Sequence, residues 1–309
     1  MQKSYLLALY EIAENDPDVC LLLADSGSGY ESLFLKHLPE QIFDFGIAEE
    51  NMVAAAAGMA SCGKVPFVYT AGAFLSYRSM EFIRDDVCLQ RRGVKLIGMG
   101  SGLGWSTLGP THHTTEELGI LRAMPHLTVL SPSDPVRTAE CVRLAYETDG
   151  PVYIRIGMGG EPVIYDGEDL PVRGENRCVR DGSGAVVFAT GTILPAVLEA
   201  AKMLAAGGVE LRVIDVCRLK PFDEAAVLKE TEAFDTVLTV EEHSVTGGLG
   251  TAVAEVLARE GRALRFHKIG IKEDSFAKGY GSWEEVRMQN DLDATGIAKQ
   301  IRSGVASRH

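Results

Sequence analysis

The chain consists of two successive runs in which short apolar segments alternate with segments of helical spacing. In the first run, apolar and β-branched segments typical of strands occupy residues 19–25, 65–70, 94–99, 127–132 and 151–156. Segments with helical spacing lie between them, and the clearest are residues 49–61, 76–90 and 134–147. Strands that alternate with helices predict a mainly parallel sheet that is covered on both faces.

The alternation stops over residues 157–176, where five glycines and two prolines stand among scattered charges, and it then starts again. Such a composition is typical of a linker. The sequence therefore predicts an α/β fold of two doubly wound domains with mainly parallel sheets. The domains are expected at residues 1–160 and 177–309, with a linker at residues 161–176.

The overall charge and the cysteines exclude several classes of protein. A net charge of -13 argues against nucleic acid and anionic membranes as partners, although a small anionic substrate remains compatible with it. The six cysteines are scattered, with no two within four residues, which argues against a zinc site and favours reduced thiols in a cytoplasmic protein. No apolar run reaches the roughly 18 residues of a membrane span, and the first residues do not resemble a signal peptide.

Two glycine-rich loops of the second half could in principle bind a ligand. The stretches ATGTILPA and SVTGGLGTAVAEVL each follow a predicted strand and lead into a helix, an arrangement that can hold an anion. Neither fits the glycine spacing of a dinucleotide-binding loop, and the sequence has no phosphate-binding loop of the GxxxxGK[ST] type. Tight turns and close packing of helices on strands are the preferred interpretation.

In the first half, three segments follow predicted strands and are expected to meet at one edge of the sheet, namely residues 43–60, 70–82 and 100–119. The first contains Glu49 and Glu50 at the start of an alanine-rich helix. A carboxylate is favoured there by the helix dipole alone, so spacing does not by itself assign a function. Adjacent residues of a helix point about 100° apart, and only one of the two can face a site squarely.

The other two segments carry aromatic and imidazole side chains. Phe74, Tyr77 and Met80 recur at a spacing of three, which suits a core face or a flat wall for a planar ring. His112 and His113 lie in a loop rich in glycine, serine and threonine. An imidazole there can exchange a proton with a hydroxyl near neutral pH, or it can bond within the polar loop.

Taken together, these stretches resemble a known family. FGIAEENMVAAAAGMA, PFVYTAGAFLSYRSMEFIR, GPTHH and SPSDPVRTAECVRLAYETDGPVYIR are similar to the pyrimidine-binding domain of transketolases. VIDVCRLKPFDE and TVEEHSVTGGLGTAVAEVLA are similar to the transketolase C-terminal domain. The GDG motif of the diphosphate-binding domain is missing from the sequence. The chain thus resembles the C-terminal subunit of a split transketolase, whose other half is a separate chain.

The resemblance implies an enzyme that uses thiamine diphosphate to transfer a two-carbon ketol unit between sugars or sugar phosphates. Mg²⁺ is expected to be held by the diphosphate-binding partner subunit, with no metal ligand on this chain, in an α2β2 heterotetramer. By position, Glu49 matches the glutamate that hydrogen-bonds the aminopyrimidine ring, and His112 matches a histidine that contacts substrate hydroxyls. Phe74 and Tyr77 match residues that pack against the pyrimidine, and Asp25 matches an aspartate near the cofactor.

Four positions depart from the transketolase pattern. Thr107 and Leu108 stand where a glutamate–aspartate pair is usual, and Gln2 and Met158 stand where phosphate-binding arginines are usual. Losing bidentate phosphate contacts weakens the binding of a sugar phosphate. We therefore hypothesise a donor or acceptor other than the standard pentose phosphates, whose identity the sequence does not give.

Three alternatives stay open at this point. A deoxyxylulose-phosphate synthase shares several of these positions but is normally one long chain. The β subunit of a 2-oxoacid dehydrogenase has a similar size, but its histidine loop differs from GPTHH. A regulatory or binding subunit that kept the fold is disfavoured by the retention of Glu49, Phe74, Tyr77 and His112.

Overall fold

The structure is a computed structural model that describes residues 1–27, 29, 31–165, 174–261, 263–272 and 274–306. Within these residues, each half of the chain forms a sheet flanked by helices. The predicted α/β fold with two mainly parallel sheets is confirmed.

The elements follow the predicted alternation closely. The strands of the first half are β1 (Val19–Leu23), β2 (Ile42–Asp44), β3 (Val65–Ala71), β4 (Lys95–Met99), β5 (Thr128–Leu130) and β6 (Val152–Ile156). Its helices are α1 (Gln2–Ala13), α2 (Ser32–His37), α3 (Glu49–Ser61), α4 (Met80–Phe82), α5 (Glu117–Ala123) and α6 (Pro135–Glu147). The strands of the second half are β7 (Arg177–Arg180), β8 (Ala185–Thr190), β9 (Leu211–Asp215), β10 (Arg218–Lys220), β11 (Thr236–Ser244) and β12 (Arg265–Ile271). Its helices are α7 (Leu194–Ala205), α8 (Glu224–Thr231), α9 (Leu249–Glu260), α10 (Trp283–Gln289) and α11 (Ala294–Ala306).

The two sheets differ in one respect from a simple division between the halves. The larger sheet has seven strands in the order β10-β5-β6-β4-β3-β1-β2, and the smaller has five in the order β12-β11-β8-β9-β7. Strand β10 comes from the second half but pairs antiparallel with β5 at the edge of the first sheet. All other pairs in the larger sheet are parallel, so the second half is joined to the first sheet by backbone hydrogen bonds.

The start of α6 shows how a local rule also organises the chain beyond it. Asp134 precedes the helix, and its Oδ1 accepts a hydrogen bond from the Arg137 amide at 2.7 Å, with Pro135 at the first helical position. The predicted N-cap is confirmed. The other oxygen, Oδ2, accepts from the amides of Ile164 and Tyr165 at 2.8 and 3.1 Å. Asp134 thus also fixes the segment that leaves the first half.

The predicted linker, residues 161–176, falls partly on residues 166–173, which lie outside the described residues. Its bounds and those of the two domains stay predictions. On the first side of that gap, Tyr165 is buried and its hydroxyl donates to Asp215 Oδ2 at 2.6 Å, so the start of the linker is packed between the halves.

The helical segment after β3 is less regular than its spacing predicts. Instead of one helix over residues 76–90, the backbone is π-helical over Phe74–Arg78, α-helical over Met80–Phe82 and π-helical again over Ile83–Leu89. A π turn takes more residues than an α turn, so a spacing of three no longer keeps side chains on one face. Tyr77 is accordingly exposed, while Phe74 is half-buried.

Candidate active site

The carboxyl ends of β1, β3, β4 and β6, neighbours in the larger sheet, carry the loops that contain most of the predicted site residues. This is the edge at which parallel sheets bind ligands.

Glu49 is the first residue of α3, and only 1% of it is exposed, while Glu50 is half-exposed. The two side chains therefore diverge as the helical geometry requires, and Glu49 is the one turned inward. Its Oε2 accepts a hydrogen bond from Arg78 Nη1 at 2.7 Å, in an ion pair whose arginine side chain is 40% exposed. A buried carboxylate thus lies at the helix N-terminus, where the backbone dipole also favours negative charge.

Arg78 links this carboxylate to the aromatic side chains of the site. Its guanidinium lies 5.0 Å from the centre of the Phe74 ring. The Phe74 ring meets the His112 ring edge to face, with centroids 5.0 Å apart, and the Trp105 ring lies 6.2 Å from His112. Three predicted residues, Glu49, Phe74 and His112, are therefore joined in one cluster, which we call the Glu49 cluster together with Arg78 and Trp105.

Sequence reasoning missed Arg78 and Trp105 as members of this cluster. The signal for Arg78 was a cation placed directly after the predicted aromatic stripe, where an unpaired charge would be unfavourable next to a buried segment. Trp105 stands within the same glycine-rich loop as His112, and its indole Nε1 donates to the Met99 carbonyl at 3.3 Å.

Tyr77 and Asp25 lie outside the contacts of the Glu49 cluster. The Tyr77 hydroxyl donates to Glu116 Oε2 at 2.7 Å and accepts from the Glu116 amide at 3.1 Å. Partial burial, followed by the carboxylates of Glu117 and Glu116, raises the pKa of Tyr77, so the hydroxyl stays protonated. Asp25 is exposed and has a left-handed backbone with φ of 48°, and its amide donates to Asp44 Oδ1 at 3.1 Å.

The loop that carries the histidines is held by close backbone approaches. Gly100 has φ of 67°, and a Cβ there would lie 2.5 Å from Trp105 Nε1 and 2.6 Å from Met158 Sδ. Gly109 has φ of 75°, and a Cβ there would lie 2.1 Å from the ring of Tyr280, which comes from the second half. Glycine is therefore required at both positions by conformation and by space.

The two histidines of the loop have different surroundings. His112 is half-exposed, and its Nδ1 is hydrogen-bonded to Thr111 Oγ1 at 2.9 Å. His113 is buried, and both of its ring nitrogens lack a hydrogen-bond partner within the described residues. Burial lowers the pKa of His113, with Glu242 of the second half acting in the opposite direction.

A buried ion pair fixes the far end of this loop against the second half. Arg155 Nε donates to Glu117 Oε1 at 2.5 Å, and Nη2 donates to the carbonyls of Thr114 and Glu242 at 3.2 and 2.8 Å. Burial raises the pKa of Glu117 to about 7, although Arg155 opposes it. Arg155 therefore ties β6, the histidine loop and β11 together behind the Glu49 cluster.

The four positions that depart from the transketolase pattern are placed as follows. The Gln2 amide Nε2 lies 3.9 Å from Met158 Sδ, so the two positions predicted to have lost arginines meet in the structure. Thr107 and Leu108 are exposed in the histidine loop. Met158 also contacts the neighbourhood of Trp105 across Gly100. An uncharged surface of amide, thioether and indole therefore adjoins His112.

The glycine-rich loop before α9 has an internal occupant. Glu241 Oε2 accepts from the Leu249 amide and Oε1 from the Gly250 amide, both at 2.7 Å. The helix N-terminus is thus satisfied by a side chain of the chain itself, in agreement with a structural turn. Within the described residues, no group of three or more His, Cys, Asp or Glu side chains is placed to hold a metal ion. The same part of the chain contains no helix long and apolar enough to cross a membrane.

Comparisons with known proteins agree with this architecture. Residues 1–158 match the transketolase pyrimidine binding domain, and residues 174–278 match the transketolase C-terminal domain. One of the two subunits of the apulose-4-phosphate transketolase of Phocaeicola vulgatus is 33% identical over 96% of this chain and 95% of its own length. The 1-deoxy-D-xylulose-5-phosphate synthase of Chlorobium luteolum is 36% identical over 96% of this chain, but over 47% of its own length.

A solved structure of a split gene transketolase, an inactive beta4 tetramer, matches 100% of this chain and 99% of its own, with a TM-score of 0.88 and 32% identity. Both domains are matched in their order along the chain, and a split-transketolase subunit is matched from end to end. This chain therefore belongs to the transketolase family.

Proposed function

We propose that this chain is the subunit of a split transketolase that holds the aminopyrimidine half of thiamine diphosphate, while a separate chain holds the diphosphate half. The assembled enzyme transfers a two-carbon ketol unit from a ketose to an aldose-type acceptor. The observation that carries the proposal is the buried carboxylate of Glu49 in one cluster with an aromatic ring and an imidazole, in a chain of this family.

The chemistry of the Glu49 cluster fits the pyrimidine half of this cofactor. A buried carboxylate can share a proton with a ring nitrogen where little water competes. Phe74 is half-buried and offers a flat apolar surface to a heteroaromatic ring. When bound, the cofactor supplies an electron sink for the carbon–carbon bond that is broken and formed, which protein side chains lack.

The side chains of this chain then have separate tasks. Glu49 holds a proton at the ring nitrogen of the aminopyrimidine, and Phe74 and Tyr77 orient the ring. Thr111 occupies the Nδ1 atom of His112, which leaves the Nε2 atom of the half-exposed imidazole to a substrate hydroxyl. Asp25, at the exposed end of β1, is placed to approach the cofactor from the neighbouring strand.

The proposal includes a partner. Because this chain would supply one half of the cofactor site, we expect the diphosphate and Mg²⁺ to be bound by a separate diphosphate-binding subunit in an α2β2 heterotetramer. Calorimetry of the isolated chain is expected to show weak binding of thiamine diphosphate. Tight, Mg²⁺-dependent binding by the isolated chain would contradict the division of the site between two chains.

The substrate hypothesis gains support from the surface of Gln2, Met158 and Trp105 next to His112. These side chains are uncharged and offer no bidentate partner to a phosphate. We expect slower turnover of xylulose 5-phosphate with ribose 5-phosphate than ordinary transketolases show. Equal rates would defeat this part of the proposal.

A second function, decarboxylation of pyruvate as in deoxyxylulose-phosphate synthase, is favoured by the 36% identity to one such enzyme. This chain spans about half of that protein. The two functions are separated by incubating the reconstituted enzyme with pyruvate and glyceraldehyde 3-phosphate. Release of carbon dioxide would support the synthase, and turnover of ketoses without it would support the transketolase.

The central experiment compares Glu49→Ala with Glu50→Gln in the complex reconstituted with the diphosphate-binding subunit. Glu49→Ala is expected to abolish turnover, because the ring nitrogen loses its proton partner. Glu50→Gln is a matched control, since Glu50 is adjacent but half-exposed, and it is expected to keep most of the activity. Unchanged activity of Glu49→Ala would refute the assignment of Glu49 to the cofactor.

A further inference from the structure

The ion pair between Arg78 and Glu49 takes up the carboxylate to which the proposed function assigns the cofactor. Arg78 Nη1 donates to Glu49 Oε2 at 2.7 Å, and the guanidinium also lies 5.0 Å from the centre of the Phe74 ring. One side chain therefore engages both groups at once, the buried carboxylate by a hydrogen bond and the aromatic ring by its flat face.

A guanidinium group and an aminopyrimidine ring offer these two residues similar chemistry. The guanidinium is planar and delocalised, presents N–H donors along its edge and packs on aromatic faces. An aminopyrimidine is also planar, with nitrogen atoms along one edge and a flat face. Both species suit a site made of one carboxylate and one aromatic ring, and the two cannot occupy the same space.

We propose that Arg78 acts as an internal surrogate for the aminopyrimidine ring, occupying the space between Glu49 and Phe74 until the cofactor displaces it. The proposal rests on the function assigned above and adds a self-occupied state to it. In that state Glu49 is paired and the ring-binding surface of Phe74 is covered, so the chain is closed to the cofactor.

The position of Arg78 allows it to leave without disturbing the core. Its side chain is 40% exposed, whereas Glu49 is buried, so the guanidinium can turn outward while the carboxylate stays in place. Arg78 is the last residue of the π-helical turn Phe74–Arg78, and π turns occur frequently at functional sites. Withdrawal of one side chain is therefore enough to open the site.

The apparent affinity of a site that is open for a fraction of the time is reduced by that fraction. Removing the guanidinium should consequently strengthen cofactor binding by the isolated chain. We expect Arg78→Ala to bind thiamine diphosphate on the order of tenfold more tightly than the wild type, as measured by ligand-observed NMR titration. Arg78→Lys keeps the charge without the planar group and should show a smaller gain.

Two controls make the test specific. Arg84→Ala removes an exposed arginine of the same helical segment that pairs with Asp85, and it should bind like the wild type. Methylguanidinium at millimolar concentration should fill the space vacated in Arg78→Ala and weaken thiamine diphosphate binding again, with little effect on the wild type. Thermal unfolding establishes that each variant is folded, and Arg78→Lys serves if Arg78→Ala is not.

The results separate this inference from the proposed function. If Arg78→Ala binds no more tightly than the wild type, including no binding by either, Arg78 is not a surrogate for the ring. If it binds more weakly, Arg78 assists the cofactor instead, and the inference is also wrong. If Arg78→Ala binds more tightly but the added Glu49→Gln change leaves that binding intact, the assignment of Glu49 itself fails.

Discussion

Acidification should destabilise the chain through His243, a fully buried histidine at the junction of the two halves. Its Nε2 accepts a hydrogen bond from the Gly119 amide of α5 at 3.2 Å, so the ring is neutral, with its proton on Nδ1 toward the Ser244 carbonyl at 2.7 Å. Burial is the largest cause that lowers the pKa of His243 to about 4, and the positive charge of Arg155 adds to it.

The size of the effect follows from the two pKa values. The ordinary value for histidine is 6.5, so the unfolded chain binds this proton at a higher pH than the folded chain does. Because the folded pKa is the lower one, the contribution to stability is complete above pH 6.5 and is lost as the pH falls toward 4. At about pH 5 the free energy of unfolding should be lower by about 2 kcal/mol on this account than at about pH 7.5.

Urea unfolding of the wild type, His243→Gln and His37→Gln at these two pH values tests the reasoning. Glutamine can accept the Gly119 amide but does not titrate, so His243→Gln should lose about 2 kcal/mol of the pH dependence. His37 is exposed on α2, and His37→Gln should behave like the wild type. Glu117 and Glu241, whose pKa values burial raises to about 7, act in the opposite sense but remain in all three proteins. The same pH dependence in the wild type and His243→Gln would refute the argument.

Three further predictions concern the cap, the histidine loop and the substrate surface. Asp134→Ala should lower the free energy of unfolding by at least about 1 kcal/mol in urea titration, because the α6 cap and the contacts to Ile164 and Tyr165 are lost together. Gly109→Ala should reduce the activity of the reconstituted enzyme and its melting temperature, since the added methyl meets Tyr280 at a left-handed backbone position; an unchanged melting temperature would contradict this. Met158→Arg should lower the KM for ribose 5-phosphate by about tenfold, because an arginine can grip a phosphate with two hydrogen bonds; an unchanged KM would show that the phosphate lies elsewhere.

Much of the local structure was predictable because its causes are local. The alternation of apolar and helical segments predicted both sheets, and Asp134 with Pro135 predicted the start of α6. The burial of Glu49 and not Glu50 agrees with the angle between adjacent helical residues. The regular helix expected over residues 76–90 was wrong in detail, since π turns arise from packing against the sheet and leave no periodic signature of their own.

By itself, the sequence determined the fold class, the two-part order of the chain and the segments that meet at the sheet edge, because hydrophobic spacing and turn residues act within a few positions of one another. Tertiary structure alone decided that β10 crosses to the first sheet, that Gln2 meets Met158, and that Arg78 pairs with Glu49. Backbone pairing at a sheet edge and ion pairs between distant residues depend on how elements pack in space. No pattern along the chain encodes those distances, and the closing of the site by Arg78 is visible only once α3 and the turn after β3 are brought together.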